Sequence, residues 1–236
     1  MGVNEFDDPR VAGTYDLFDS DRSDLDVYAA IAAELGATRV LDLGCGTGTL
    51  AIMLAERGLT VVGVDPAAAM LDVARSKPGA ERVRWICGDA ASPPLHGTEV
   101  DLVTMTGNAA QAIVEDDDWH RTLDAVRGIL APNGHFVFET REPSMRAWEE
   151  WTRAKTYEVV DGIESWGDLT RVDLPFVSFD ATTVFPDGRR VVATSTLRFR
   201  ERAEVAADLA AHGFVVTEVR DAPDRPGREH VFFARA

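Results

Sequence analysis

Val40-Leu41-Asp42-Leu43-Gly44-Cys45-Gly46-Thr47-Gly48 is the stretch on which the fold turns. Its first half belongs to a short apolar run, Arg39 to Leu43, which reads as a buried strand. Its second half spaces three glycines two apart, so the backbone can turn tightly and approach a ligand closely. Thr47 to Glu56 continues as a helix that Gly58 closes, and Thr60 to Val64 is a second strand. The glycine loop therefore joins a strand to a helix. Open α/β sheets bind ligands at such junctions, beyond the carboxyl ends of their strands.

The same alternation runs outward from this point. Pro66 stands where a helix would begin, and Ala67 to Arg75 continues it with good helix formers. Val83 to Cys87 is a third strand and Val100 to Met105 a fourth, followed by a segment from Asn108 to Val114 and a helix from Trp119 to Leu130. The turn Pro132-Asn133-Gly134 leads to the fifth strand, His135 to Thr140. Such alternation implies right-handed crossovers and a parallel sheet with helices on both faces. Asp42, Asp65, Asp89, Met105 and Arg141 then fall together at the strand ends.

Upstream, Asp24 to Leu35 is a helix ended by Gly36, and the region of Tyr15 is a candidate for another. Beyond Trp151 the texture changes. Tyr157 to Arg200 holds β-rich runs with turns at Asp161-Gly162 and Asp187-Gly188, which predicts an antiparallel insertion of three or four strands. Glu201 to His212 returns to helix, and Phe214 to Arg220 pairs with Glu229 to Ala234 at the sheet edge. The expected plan is one domain: a helical cap over 1–37, a core over 38–142, the insertion over 153–200 above an acceptor site, and a helix and hairpin over 201–236.

A chain of 236 residues suits one domain with a sizeable core. The formal charge of −16 repels phosphate backbones, so nucleic acid is not an expected partner. Met1 to Asp8 lacks the features of a signal peptide, and no apolar run is long enough to span a bilayer. Cys45 and Cys87 do not make a disulfide framework, and small buried residues are expected at both places. A cytoplasmic protein without a membrane partner is the expectation; the oligomeric state is left open.

The chemistry begins at Asp42. Its carboxylate repels a pyrophosphate but attracts an ammonium or sulfonium, and the glycine spacing differs from the G-x-G-x-x-G of dinucleotide folds. Asp65, at the end of the second strand, is placed to accept from both hydroxyls of a ribose. It is equally placed to cap the helix that follows, and the two roles are compatible. In Gly88-Asp89-Ala90 a carboxylate can accept from an adenine amino group, or the pair simply turns the chain.

Taken in order, Asp42 to Gly48, Asp65-Pro66, Gly88-Asp89-Ala90 and Leu130-Ala131-Pro132-Asn133-Gly134 resemble the motifs of class I methyltransferases that use S-adenosylmethionine (SAM). Asn133 replaces a glycine of the family's turn before strand five. The resemblance covers about residues 13 to 142 by motif and 201 to 236 by pattern. It implies a Rossmann-like, mostly parallel seven-stranded sheet of order 3-2-1-4-5-7-6, and SAM as cofactor. Asp42 and the backbone from Gly44 through Cys45 to Gly46 would face the methionine part and Asp65 the ribose, with Gly48 of the same loop also among the cofactor-binding residues. Pro66 and Met70 would flank the adenine, which Asp89 and Ala90 would read, and Met105 is a further cofactor-binding candidate. Tyr15 resembles an aromatic placed over the methionine end, though a core tyrosine is as good a reading.

The implied reaction is in-line displacement at the sulfonium methyl, to which the protein contributes mainly proximity and alignment. The acceptor is expected to be a small molecule. Asn108, Gln111, Arg141 and Trp148 are the candidate acceptor-binding residues, each with a structural alternative. Arg141 would bind a carboxylate or pair with Glu139 or Glu142. No general base stands out: of the five histidines only His96 sits where it can approach the site, and no metal site is apparent. The alternatives are a non-catalytic SAM-binding protein and a different group transfer on the same scaffold. The glycine spacing and Asp42 argue against a nicotinamide oxidoreductase.

Overall fold

The computed structural model describes Phe6, residues 8–91, Pro93, Leu95, Gly97 and residues 99–236. Three helices come first: α1 (Pro9–Ala12), α2 (Tyr15–Phe18) and α3 (Asp24–Glu34). The core then alternates β1 (Arg39–Leu43), α4 (Thr49–Glu56), β2 (Thr60–Asp65), α5 (Ala68–Ser76), β3 (Val83–Cys87) and β4 (Val100–Met105). It continues through α6 (Ala109–Ala112), α7 (Asp116–Ile129) and β5 (Leu130–Arg141). An inserted segment holds α8 (Arg153–Thr156) and strands β6 (Glu158–Val160), β7 (Ile163–Asp173), β8 (Phe176–Val184) and β9 (Arg190–Arg198). The chain returns through α9 (Arg202–Ala211), β10 (Val215–Asp221) and β11 (Glu229–Arg235).

The main sheet has the order β10-β11-β5-β4-β1-β2-β3. All pairs from β3 to β5 are parallel, and β11 runs antiparallel to both β5 and β10. This is the 3-2-1-4-5-7-6 arrangement expected from the motifs. Side-chain alternation assigns the two faces. Leu41, Val103, Phe136, Phe138 and Phe232 pack against Trp119, Leu123 and Val126 of α7 and Val205 and Leu209 of α9. Their neighbours Val40, Leu102, Val137 and Phe233 pack the other way, against α3 and α4. Period two in the strands thus meets helical stripes on both sides.

Local chemistry sets where elements begin. The helix expected from Thr47 starts at Thr49, because Gly48 has φ 76°, a left-handed conformation that precedes the first turn. Asp65 does not cap α5, which begins at Ala68 after Ala67. Its Oδ1 accepts the Ala67 N–H at 2.9 Å and turns the chain before the helix. The segment after β4 forms helix only over α6, shorter than the expected run to Val114. Asn133 has φ 63°, the conformation a glycine would adopt there. Three aspartates, Asp116 to Asp118, occupy the first turn of α7, where the helix dipole favours negative charge.

The insertion is a second, four-stranded antiparallel sheet, β6-β7-β8-β9. Asp161 and Gly162 join β6 to β7 at φ 52° and 75°, the two positive values that a type I′ hairpin demands. Trp148, Val177 and Phe199 form its own small core. Two arginines lock it to the main body: Arg198 Nη1 donates to the Val114 carbonyl at 3.2 Å, and Arg200 Nη2 to that of Ile113 at 3.0 Å. Its far turn is tied to α1, where Arg10 pairs with Asp187 and Arg189 with Asp8.

Candidate cofactor and acceptor site

The glycine loop is tied down to the end of β2. The N–H groups of Gly44 and Cys45 both donate to the Val64 carbonyl, at 2.8 and 3.0 Å. That of Gly46 donates to Asp65 Oδ2 at 2.8 Å. Three donors that a dinucleotide loop would turn toward a pyrophosphate are therefore committed inside the protein. Gly48 is glycine for a second reason. A Cβ there would lie 2.3 Å from the Trp85 ring, which packs under the loop from β3.

Asp42 is 1% exposed and accepts a hydrogen bond from Thr104 Oγ1 at 3.0 Å. Burial pushes its carboxyl up to about 7, against the smaller opposing pull of the Thr104 hydroxyl. It faces a cavity of about 60 Å³ walled by Tyr15, Arg22, Gly44, Gly46 and Gly107. A side chain at Gly44 would reach within 3.0 Å of Ala109 Cβ and narrow the space between the loop and α6. A buried carboxylate with one neutral partner, beside a loop kept clear of side chains, fits a cationic ligand. It does not fit an anionic one.

The helices before β1 cover this cavity. Asp16 of α2 accepts from Thr47 Oγ1 at 2.7 Å and pairs with Lys77 at 2.6 Å, which also reaches Thr49 Oγ1 at 3.0 Å. Tyr15 lies edge-on to Phe6 with ring centroids 5.7 Å apart. Arg22, also on the cavity wall, gave no signal in the sequence beyond being one arginine among many.

Of the remaining expected cofactor residues, Pro66, Asp89, Ala90 and Met105 lie at or just beyond neighbouring strand ends and Met70 lies on α5, all outside that cavity wall. Pro66 and Asp89 are exposed, Ala90 is half-buried, and Met70 and Met105 are 3% and 1% exposed. Asp89 Oδ1 accepts the Ala91 N–H at 2.7 Å, the turn-forming bond of the alternative reading. Cys45 is half-buried, but Cys87 is exposed, contrary to the expectation for a small residue at a strand end. It lies on β3, the sheet's edge, where no strand covers it.

Three of the candidate acceptor residues, Asn108, Gln111 and Arg141, form a separate cluster over β4, β5 and β11. Asn108, at φ 58°, is 3% exposed and Gln111 1%. Arg141 Nη1 donates to Gln111 Oε1 at 2.9 Å, and its ion-pair partner is Glu229, at 3.7 Å, rather than Glu139 or Glu142. Trp148 is 2% exposed and packed edge-on to Phe199. The partly open ring beside Arg141 is Trp151, whose centroid lies 5.6 Å from the guanidinium. Tyr28, Glu139 and Glu229 complete the cluster, and sequence reading missed them as site residues. Glu139 was legible as a charge inside an apolar strand; Tyr28 and Glu229 come from distant segments and carried no local signal.

Of the histidines, His230 lies 2.6 Å from Glu142, and His212 bridges Asp124 and His120 between α7 and α9. His135 sits at the opposite end of the sheet, paired with Arg235. His96 lies outside the described residues. No cluster of three or more metal-ligating side chains occurs among the described residues, and none of their helices is long and apolar enough to cross a membrane.

Comparison with known proteins agrees with this geometry. Residues 40–134 match the methyltransferase-domain family. A putative methyltransferase of Geobacillus is 33% identical over 105 residues, which are 44% of this chain and 42% of that protein. The chain thus spans less than half the length of that relative. Among solved structures, the CcbJ methyltransferase from Streptomyces caelestis superposes with a TM-score of 0.82 at 24% identity, covering 99% of both chains. SAM-bound CalS10, an amino pentose methyltransferase from Micromonospora echinaspora, gives 0.67 at 21% identity over 92% of this chain and 93% of its own. The sheet order, the ordered motifs and the match over the glycine loop together give this chain the fold of the class I methyltransferases, with a methyltransferase-domain match over residues 40–134.

Proposed function

We propose that the protein transfers a methyl group from SAM to a small-molecule acceptor. The observation that carries this reading is Asp42, a carboxylate buried against a glycine loop and facing a cavity with no cation in ion-pair contact among the described residues. SAM supplies a cationic sulfonium with a methyl group that a nucleophile can displace. Asp42 would hold the cationic methionine end, with the cavity walls of Gly44, Gly46 and Gly107 setting its path. Asp65, which also holds the Gly46 and Ala67 N–H groups, would serve the ribose. Tyr15 and α2 would exclude water from above.

The acceptor side is assigned to Asn108, Gln111 and Arg141, with Trp151 as the apolar wall in place of the enclosed Trp148. Each lies where the insertion meets the main sheet, beside the cofactor half. Positioning would then supply most of the rate, since the sulfonium is already a good leaving group.

Calorimetry of the purified protein with SAM, S-adenosylhomocysteine (SAH) and NAD tests the cofactor. Micromolar binding of the two adenosyl sulfur ligands without NAD is expected, and turnover of methyl-labelled SAM separates an enzyme from a binding protein. Binding of NAD alone, or of none of the three, would overturn the reading.

A further inference from the structure

The cluster over β4, β5 and β11 contains more acceptors than donors. Glu139, 8% exposed, accepts the Asn108 N–H at 3.1 Å through Oε1 and the Tyr28 hydroxyl through Oε2. Glu229, 3% exposed, accepts from Asn108 Nδ2 at 3.1 Å and from Arg225 Nη1 at 2.8 Å, with Arg141 Nε at 3.7 Å. Both arginines thus lie against Glu229. No cation among the described residues is within ion-pair distance of Glu139.

Asn108 Oδ1 is buried and has no hydrogen-bond partner. Turning the amide over does not help, because an oxygen would then face the Glu229 carboxylate. Leaving such an acceptor unmet costs about 1–3 kcal/mol. The side chain is therefore held ready for a donor that the protein itself does not supply. Its place in the chain says which donor. Asn108 follows Gly107, which lines the cavity beside the glycine loop. It immediately precedes α6, which packs on both β5 and β9 of the insertion.

On the methyltransferase reading above, we propose that the acceptor's nucleophile is an amine nitrogen, which donates one N–H to Asn108 Oδ1 and is drawn in as an ammonium by Glu139. A carbon nucleophile has no hydrogen to give Oδ1, and a neutral hydroxyl gains little from an unpaired carboxylate. An N–H directed at Oδ1 leaves the nitrogen's lone pair free to point toward the cavity. Burial pushes the Glu139 carboxyl upward and Glu229 adds to this, while the Tyr28 hydroxyl and the backbone N–H groups of Asn108 and Gly107 oppose it. The arriving ammonium loses one proton to Glu139. Its lone pair forms the new nitrogen–carbon bond as the methyl's bond to sulfur breaks, leaving that electron pair on sulfur. The nitrogen is again cationic, and Glu139 returns its proton to water.

The test uses full-length protein saturated with SAH and two probes of one shape, benzylamine and benzyl alcohol, at pH 7.5, where the amine is cationic. The ring has Trp151 and Phe179 to pack on, themselves 5.0 Å apart. Wild type should bind the amine about tenfold more tightly than the alcohol or better. Glu139→Gln and Asn108→Gly, the latter matched to the positive φ, should each abolish that preference. Both should keep SAH affinity within about threefold, which shows an intact cofactor half. If SAH binds and the amine has no advantage in wild type, or keeps it in Glu139→Gln, the amine assignment is overturned. If SAH itself does not bind, the methyltransferase reading fails and this inference falls with it.

Discussion

A carboxylate buried against one hydroxyl is expensive, and Asp42 shows what the expense is for. Its ordinary value of 3.8 rises to about 7 in the folded, ligand-free protein. With the folded value above the unfolded one, the group favours folding at low pH, and that contribution is lost as pH rises from about 4 through 7. Asp42→Asn removes the loss. The variant should therefore be roughly 2–4 kcal/mol more stable than wild type at pH 8 and indistinguishable from it at pH 4, by denaturant titration without ligand. It should also bind SAM at least about tenfold more weakly at pH 8. Equal stability at pH 8 would mean that Arg22 already neutralises the carboxylate. Asp65→Ala should weaken SAM binding by more than about tenfold. Because Asp65 also holds the Gly46 and Ala67 N–H groups, the same variant should lose about 1–2 kcal/mol of stability. An unchanged dissociation constant would remove Asp65 from the site. Residues such as Asp42 were legible because an acidic side chain in a buried strand stands out locally. Tyr28 and Glu229 were not, because their meaning lies in partners brought together only by the sheet.

At the scale of elements, β1 and β4 are fastened at their amino ends by one side chain. Asp101 accepts from the Thr38 backbone N–H and hydroxyl, from the Arg39 N–H and from the Arg39 guanidinium. The Arg39 guanidinium, with Thr38, holds its carboxyl well below the usual range. Here the sign is opposite to Asp42: the contribution is present above about pH 4 and is lost as pH falls through the lowered value. Asp101→Asn should cost about 1 kcal/mol at pH 7, allowing for solvent screening, and the gap should close on acidification. A gap of unchanged size between pH 7 and pH 2 would assign the effect to packing instead. Boundaries followed the same local logic. Helices and strands were readable from period and composition, but the start of α4 depended on the left-handed Gly48 and the start of α5 on the turn made by Asp65. Those are conformations rather than patterns. Gly48→Ala combines φ 76° with a 2.3 Å approach to Trp85 and should unfold the loop's anchorage, seen as a lower Tm together with lost SAM binding.

For the molecule as a whole, a formal charge of −16 means that the folded chain repels itself. Raising salt from low ionic strength to about 0.3 M should raise Tm by a few degrees, since screening relieves repulsion over more than a Debye length and costs little in surface ion pairs. A fall in Tm would show that bridges such as Arg220–Glu34 and Arg10–Asp187 outweigh it. The sheet order was legible from motif order because right-handed crossovers leave few alternatives. How the inserted sheet is moored was not, since the moorings run from Arg198 and Arg200 to the backbone of Val114 and Ile113, 84 and 87 positions upstream.

The placement of β11 between β5 and β10 also has a temporal side. During synthesis β5 leaves the ribosome long before the strand that will cover its flank. At typical elongation rates the wait is roughly 4–20 s. Through that interval Phe136 and Phe138 lie on a strand with one open side, and the hairpins of the inserted sheet, whose pairings are local, have time to form first. The nascent chain thus offers a sticky edge for seconds, which makes this the stage at which a chaperone would find it.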